Sequence, residues 1–310
     1  MGKYIFGVDL GGTTVKMGIF DHEGTVLEKW EIVTVKENNG AQILPDIAAS
    51  ILAKMEERSL TKEDIIGVGI GVPGPVDNNG VIYKAANLGW GVFNVSETLS
   101  GLTGLKVKTG NDANVAALGE MWKGGGQGYN SIVAVTLGTG VGGGIIIEGS
   151  VLAGATGAGG EIGHIHVEDD ETEVCGCGNR GCLEQYASAT GITRLANRRL
   201  AKDDCPSVLR EGEVSAKTVF DAVKNNDALA IEVAEQFGSY LGKGLAAVAC
   251  VVNPDAFVIG GGVSKAGPVL MDYIQEPYKK YVFHGSRDVK FELATLGNDA
   301  GIYGAARLVL

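Results

Sequence analysis

Short apolar runs that open into glycines set the pattern of this chain. Tyr4 to Asp9 leads into Gly11-Gly12-Thr13-Thr14, a second apolar run from Val15 to Phe20 follows, and Asp21-His22-Glu23-Gly24 turns the chain. Runs of this length bounded by turn residues predict strand, tight turn, strand. The pattern returns 127 positions later: Val133 to Leu137 opens into Gly138-Thr139-Gly140, Gly142 to Ile147 follows, and Glu148-Gly149 closes it. Two copies of one supersecondary unit predict a duplicated, two-lobed α/β protein with a cleft between the lobes; two unrelated glycine-rich hairpins are the alternative.

Between the copies the period changes. Ile43, Leu44, Ile47, Ile51 and Met55 share one helical face, predicting a helix from about Ala41 to Arg58. Ile65 to Val72 reads as a buried strand stopped by Pro73-Gly74-Pro75, and Lys106 to Thr109 as another. Asn111-Asp112-Ala113-Asn114 follows at once and leads into an alanine-rich helix, Val115 to Met121. That puts Asp112 at the carboxyl end of a strand, where α/β sheets hold their ligands. Trp122 to Tyr129, with three consecutive glycines, is the expected domain boundary. Beyond it, Ala228 to Val252 reads as a long amphipathic helix, Ala256 to Ile259 as a strand turning at Gly260-Gly261-Gly262, and Val289 to Leu293 as the last strand. Asn298-Asp299-Ala300-Gly301 begins a terminal helix.

Composition narrows the class. Glycine makes up 49 of 310 residues against 7 prolines, which signals tight turns and close backbone approaches rather than low complexity. A net charge of −11 argues against a nucleic-acid or anionic-membrane surface. The chain runs from Met1 straight into a strand containing Asp9, without the pattern of a secretory leader, so a cytoplasmic protein is expected. The most apolar segment, Ile132 to Ile147, is too short and too interrupted by glycine to span a bilayer.

Three loops and one carboxylate carry the chemistry. Asp9, Gly11, Gly12, Thr13, Thr14 and Lys16 place bare amides, hydroxyls and a cation where phosphate oxygens can be cradled, with Asp9 reaching a hydrated Mg²⁺. Gly138, Thr139 and Gly140 repeat the arrangement, and the pair suits a triphosphate clamped from both sides; two well-made turns with a solvated Lys16 are the plain alternative. Gly261 and Gly262 offer a further close approach, suited to an adenine ring. None of these is a P-loop or dinucleotide fingerprint. Cys175, Cys177 and Cys182, spaced C-x-C-x4-C, follow His164 and supply four ligands of the kind a structural zinc ion takes; incidental buried thiols or one disulfide remain open. Asp112 is placed to accept a hydroxyl proton, or to cap the helix it begins.

Taken together, the glycine hairpin after Asp9, Pro73-Gly74-Pro75, Asn87-Leu88-Gly89-Trp90, the N-D-A-N of Asn111 to Asn114, the L-G-T-G-V-G-G-G from Leu137, the E-x-G-H of Glu161 to His164 and the C-x-C-G-x-x-G-C-x-E ending at Glu184 resemble the ROK family of bacterial sugar kinases and repressors. The resemblance runs over nearly the whole chain. It implies an actin/hexokinase-like (ribonuclease H-like) fold, with an N-terminal lobe over residues 1–122, a terminal helix 299–310 packing back on it, and a C-terminal lobe over 123–298 carrying the zinc. It also implies transfer of the γ-phosphoryl group of ATP, with Mg²⁺, to the 6-hydroxyl of glucose, with Asp112 as general base. Asn111, Asp112, Glu161, His164 and Glu184 would meet the sugar hydroxyls, His164 serving zinc as well, in a homodimer or homotetramer. Fructose, mannose, allose, N-acetylglucosamine and N-acetylmannosamine are the other acceptors within the class. A non-catalytic sugar-sensing regulator is the competing class; such proteins carry a winged helix before the first strand, which here begins almost at once.

The segment between His164 and Cys175, with the run Glu168-Asp169-Asp170-Glu171, lacks the glycine and proline the family tends to carry and reads as a solvated acidic face. Cys205 and Cys250 read as reduced thiols, the latter on the apolar face of the long helix. His166 reads as structural, His22 and His284 as solvated, and Trp90 as either a cleft wall or packing.

Overall fold

The apolar runs flanking Gly11 and Gly12 pair as expected, antiparallel, as β1 (Tyr4–Leu10) and β2 (Thr14–Asp21). β3 (Val26–Val33), not anticipated, extends this ribbon; its alternate residues are half-buried and exposed, the pattern of an edge strand covered on one face. β4 (Ile65–Val72) pairs parallel with β1 and is buried at all but one position, as a central parallel strand must be. A small pair, β5 (Val81–Ile82) and β6 (Phe93–Asn94), stands apart. β7 (Val107–Asn111) completes the order β3-β2-β1-β4-β7. The second sheet, made of β8 (Ile132–Leu137), β9 (Val141–Ile147), β10 (Ser150–Val151), β11 (Ala256–Gly260) and β12 (Lys290–Leu293), runs β10-β9-β8-β11-β12. With β1 set on β8, the two orders coincide, so the repeat read at two hairpins extends to two whole sheets. Mixed sheets of this kind, repeated, make the duplicated α/β fold.

The computed structural model describes residues 2–310, so Met1, the start of the leader argument, lies outside it. Contacts divide the chain into two units. The first runs to Asn130 and takes in Gly144–Gly160 and Thr295–Leu310; the second holds Ser131–Gly143 and Glu161–Ala294. The sequence reading divides the lobes at residue 122, with 123–298 in one lobe, whereas contacts place 123–130, 144–160 and 295–298 in the first unit. Glu120 explains much of this. Its carboxylate is 4% exposed and accepts N–H bonds from Gly125 at 2.9 Å, Thr295 at 3.0 Å and Leu296 at 2.9 Å, gathering both connections onto one helix end. Gly149 N–H bonds to the Asn130 carbonyl at 2.8 Å in the same unit. No glycine-rich composition announces such a clasp.

The helices follow their apolar faces. Ile43–Glu57 buries Ile43, Leu44, Ile47, Ile51 and Met55, and Ala228–Val252 has the expected bounds. Asp112–Lys123 begins three residues before Val115, because Asn111 caps it: its side-chain oxygen accepts the Asn114 N–H at 3.1 Å. The terminal helix, Ala300–Leu308, lies against β1, β4 and Asp112–Lys123. It does so backbone to backbone. A Cβ added at Gly69 would collide with the Ala305 carbonyl, and one at Gly304 with the Val115 carbonyl, so glycine is required at these positions for approach rather than for φ. Gly69→Ala is accordingly expected to lower stability by about 3 kcal/mol, the upper part of the overpacking range. Denaturant unfolding measures it, and an unchanged midpoint contradicts the packing.

Candidate functional site

In the first unit the chemistry collects at the carboxyl ends of β1 and β7. Asp9 faces Lys16 across the hairpin and Gly71 on β4, and Gly71 in turn pairs with Gly110 on β7. Burial pushes the Asp9 carboxyl up to about 6; Lys16 pulls it down, and the charge of Asp112 pushes it up further. The two carboxylates are thus within electrostatic reach of each other. Since the folded chain holds this proton more tightly than the ordinary 3.8, a charged Asp9 opposes folding above about pH 6, and the penalty fades as pH falls through 6 toward 3.8. A divalent cation reverses this by favouring the carboxylate, so the residues suit a hydrated Mg²⁺.

Asp112 is the first residue of its helix, and its Oδ1 accepts the Ala113 N–H at 2.8 Å and the Asn111 side-chain amide at 3.0 Å. Asn111 also donates to the Gly74 carbonyl at 3.1 Å, which ties the Pro-Gly-Pro turn to Asp112. Capping therefore falls to Asn111, whose amide orients Asp112. The hairpin Gly11-Gly12-Thr13-Thr14 is braced by Thr34, a buried residue that sequence reading passed over. Its hydroxyl donates to the Gly11 carbonyl at 2.8 Å and its N–H to Thr13 at 2.9 Å. Lys16 donates to the Asn298 carbonyl at 3.2 Å.

In the second unit the turn Gly138-Thr139-Gly140 closes with a Gly138 N–H bond to the Gly140 carbonyl at 3.0 Å. Gly261, at φ +85°, backs onto it: a Cβ there would lie 2.5 Å from the Leu137 carbonyl oxygen. The two glycine loops therefore meet at the end of β8. Gly138 and Gly262, like Gly12 in the first unit, have open space where a Cβ would stand, so neither packing nor φ demands glycine there. Beside Gly262 is a cavity of about 180 Å³ lined by Ala216, Phe220, Val263 and Ala266. No periodic signal pointed to that wall.

Glu161, His164 and Glu184 come together with the cysteines. His164 Nδ1 is 3.8 Å from Cys175 Sγ and 3.8 Å from Glu184 Oε1, and Nε2 is 4.0 Å from Glu161 Oε2. Cys177 and Cys182 sulfurs are 3.6 Å apart, and all four candidate ligand atoms lie within 4.8 Å of one another. A tetrahedral ion with Zn–S bonds of about 2.3 Å separates its sulfurs by about 3.8 Å, so the spacing and the soft donor set fit zinc. Burial pushes the Cys175 thiol up to about 12, and a cation is what would draw a thiolate there. The cysteines are unpaired. Glu184 accepts from Cys175 at 3.1 Å and from the Val141 N–H at 3.4 Å.

Several single residues depart from expectation. Glu171 is buried, against the solvated reading of its acidic run. Burial alone would raise it, yet bonds from Arg198 and Tyr186 and the charge of Arg194 hold it at about 2. Cys250 is exposed, because the buried face of Ala228–Val252 passes through Val248 and Ala249 instead. His166 keeps its structural role, with one ring nitrogen 2.9 Å from the Arg180 carbonyl and the other 2.8 Å from Asp169. Trp90 is packing: it is 6% exposed and donates to the Gly40 carbonyl at 3.2 Å.

Against known proteins, the ROK family profile matches residues 5–310. A glucokinase of Halalkalibacterium halodurans is 43% identical over 313 residues, 99% of this chain and 95% of that protein. The crystal structure of a ROK family glucokinase from Streptomyces griseus in complex with glucose and AMPPNP is 34% identical, with a TM-score of 0.74 and 98% of each chain covered. A xylose repressor of Bacillus spizizenii is 28% identical; the match takes in 99% of this chain but 77% of the repressor.

Elemental analysis of the purified chain is expected to find about one zinc per chain. Cys177→Ser should lose it and melt at least about 5 °C lower. A metal-free variant that melts like the wild type contradicts a structural metal.

Proposed function

The chain belongs to the ROK family, and on that premise we propose that it transfers the γ-phosphoryl group of ATP to the 6-hydroxyl of glucose, with Asp112 as general base. The observation that carries the reading is the setting of Asp112: first residue of a helix at the end of a parallel strand, oriented by Asn111 and coupled to Asp9. Full-length identity to glucokinases supports glucose as acceptor.

Asp112 takes the proton of the 6-hydroxyl as that oxygen bonds to the γ-phosphorus. The bond from phosphorus to the β–γ bridging oxygen breaks, and ADP leaves with its electron pair. Mg²⁺ accompanying the nucleotide supplies charge neutralisation at the phosphate oxygens, and Asp9 is the residue suited to its hydration shell. Amides and hydroxyls from Gly11 to Thr14 and from Gly138 to Gly140 cradle phosphates, with Lys16 adding charge, while Gly261 and Gly262 admit the adenine ring beside Phe220. Asn111, Asp112, Glu161, His164 and Glu184 meet the sugar hydroxyls; a sugar that leaves one of these groups unpaired is rejected. Zinc held by His164, Cys175, Cys177 and Cys182 stiffens that wall.

Cytoplasmic residence and a homodimeric or homotetrameric state belong to the same proposal. A site needing three reduced cysteines supports the first. Exposed Val251, Tyr281 and Phe283 in the second unit support the second. No helix among the described residues is long and apolar enough to cross a membrane.

A coupled ADP-release assay over glucose, fructose, mannose, allose, N-acetylglucosamine and N-acetylmannosamine tests the reading. Glucose should give the highest kcat/KM, and Asp112→Asn should lower kcat by roughly 10²–10⁴ while still binding glucose. If no sugar stimulates ATP turnover, the proposal fails.

A further inference from the structure

The acidic run after His164 ends in a buried residue, Glu171, which reaches the turn carrying Glu184 through side chains other than the cysteines. The Glu171 side chain is 1% exposed and lies 3.0 Å from Arg194 Nη2 and 3.1 Å from Arg198 Nη2. It also accepts the Tyr186 hydroxyl at 2.5 Å. Tyr186 stands two residues beyond Glu184 on the single turn Glu184–Ala187, its ring stacked on Tyr240 with centroids 4.0 Å apart. The residue between them is fixed as well. Arg194 donates to the Gln185 carbonyl at 2.5 Å, and the Gln185 side chain bonds the Cys182 N–H at 3.1 Å and the Glu173 carbonyl at 3.0 Å.

Glu184's own side chain is held differently. Its closest polar neighbour is the Cys175 sulfur at 3.1 Å, a contact that requires a thiol proton. The Val141 N–H lies 3.4 Å from the other oxygen of Glu184, and the backbone that carries it is the turn braced through Tyr186 and Arg194.

We propose that Glu171 is a positioning residue for sugar binding: through Tyr186 and Arg194 it fixes the turn that presents Glu184, independently of the metal. The inference rests on the reading of Glu184 as a sugar ligand.

The test measures the glucose Kd by calorimetry, the KM for ATP and the zinc content of the wild-type chain, Glu171→Gln, Tyr186→Phe and, as reference, Glu184→Gln. Glu184→Gln should weaken glucose binding. Glu171→Gln and Tyr186→Phe should each weaken it by about tenfold, as loss of a residue that orients a ligand group does, with the KM for ATP and the zinc content unchanged. Tyr186→Phe keeps the ring and removes one hydrogen bond, so it decides the question should Glu171→Gln not fold. A glucose Kd within about twofold of wild type in Tyr186→Phe, or loss of zinc from either variant, overturns the inference and leaves the kinase reading standing. Wild-type glucose affinity in Glu184→Gln removes the premise, and the inference falls with it.

Discussion

Two carboxylates at the ends of parallel strands oppose one another's ionisation, and the first unit is built to keep them there. Asp9 is held against the start of the terminal helix, where Gly301 has no side chain to displace it. Asp112 is held by the Asn111 amide, which is itself anchored to the Pro-Gly-Pro turn. A half-buried acid near a second acid is an unfavourable element that a cation and a phosphate would make useful, the kind of departure from the most stable choice found at catalytic sites. The stability lies elsewhere, in backbone-to-backbone packing of the terminal helix on β4 and in the buried Glu120, whose three N–H bonds close the connections onto the helix that Asp112 begins.

The second unit solves a different problem, that of holding still the groups proposed to meet the sugar. His164 is shared between a soft-metal cluster and two carboxylates. Its position follows from a short loop rich in glycine, and such loops have little packing of their own. A metal on the His164 and cysteine set would supply rigidity on one side, and the buried cluster of Glu171 with Arg194, Arg198 and Tyr186 is proposed to supply it on the other. Breaking a buried ion cluster is far more costly than its net contribution, so the cluster serves geometry more than stability.

Much of this was legible before any coordinates. The hairpin repeat, the carboxyl-end position of Asp112 and the C-x-C-x4-C ligand set were local patterns, and local patterns survive folding. The topology repeats across both sheets, His164 and Glu184 lie against the cysteines, and Glu161 lies 4.0 Å from His164. What escaped notice depended on partners far away in sequence. Glu171 reads as one more acid in a charged run until Arg194 and Arg198, more than twenty residues on, arrive beside it. Thr34 and Glu120 are single polar residues whose role is to satisfy distant backbone groups, and Cys250 lies one position off the buried stripe. Gly124 to Gly126 read as a linker for the same reason, and Glu120 ties them to the first unit.

The most direct test of the central claim is a carboxyl-carbon NMR titration of Asp9, without ligand and again with Mg²⁺ and a non-hydrolysable ATP analogue. The account predicts a midpoint near 6 without ligand, set by burial and by Asp112, and a fall to below the ordinary 3.8 when cation and nucleotide are bound. A midpoint already at 3.8 in the free chain, or one that Mg²⁺ and nucleotide leave unmoved, would contradict it.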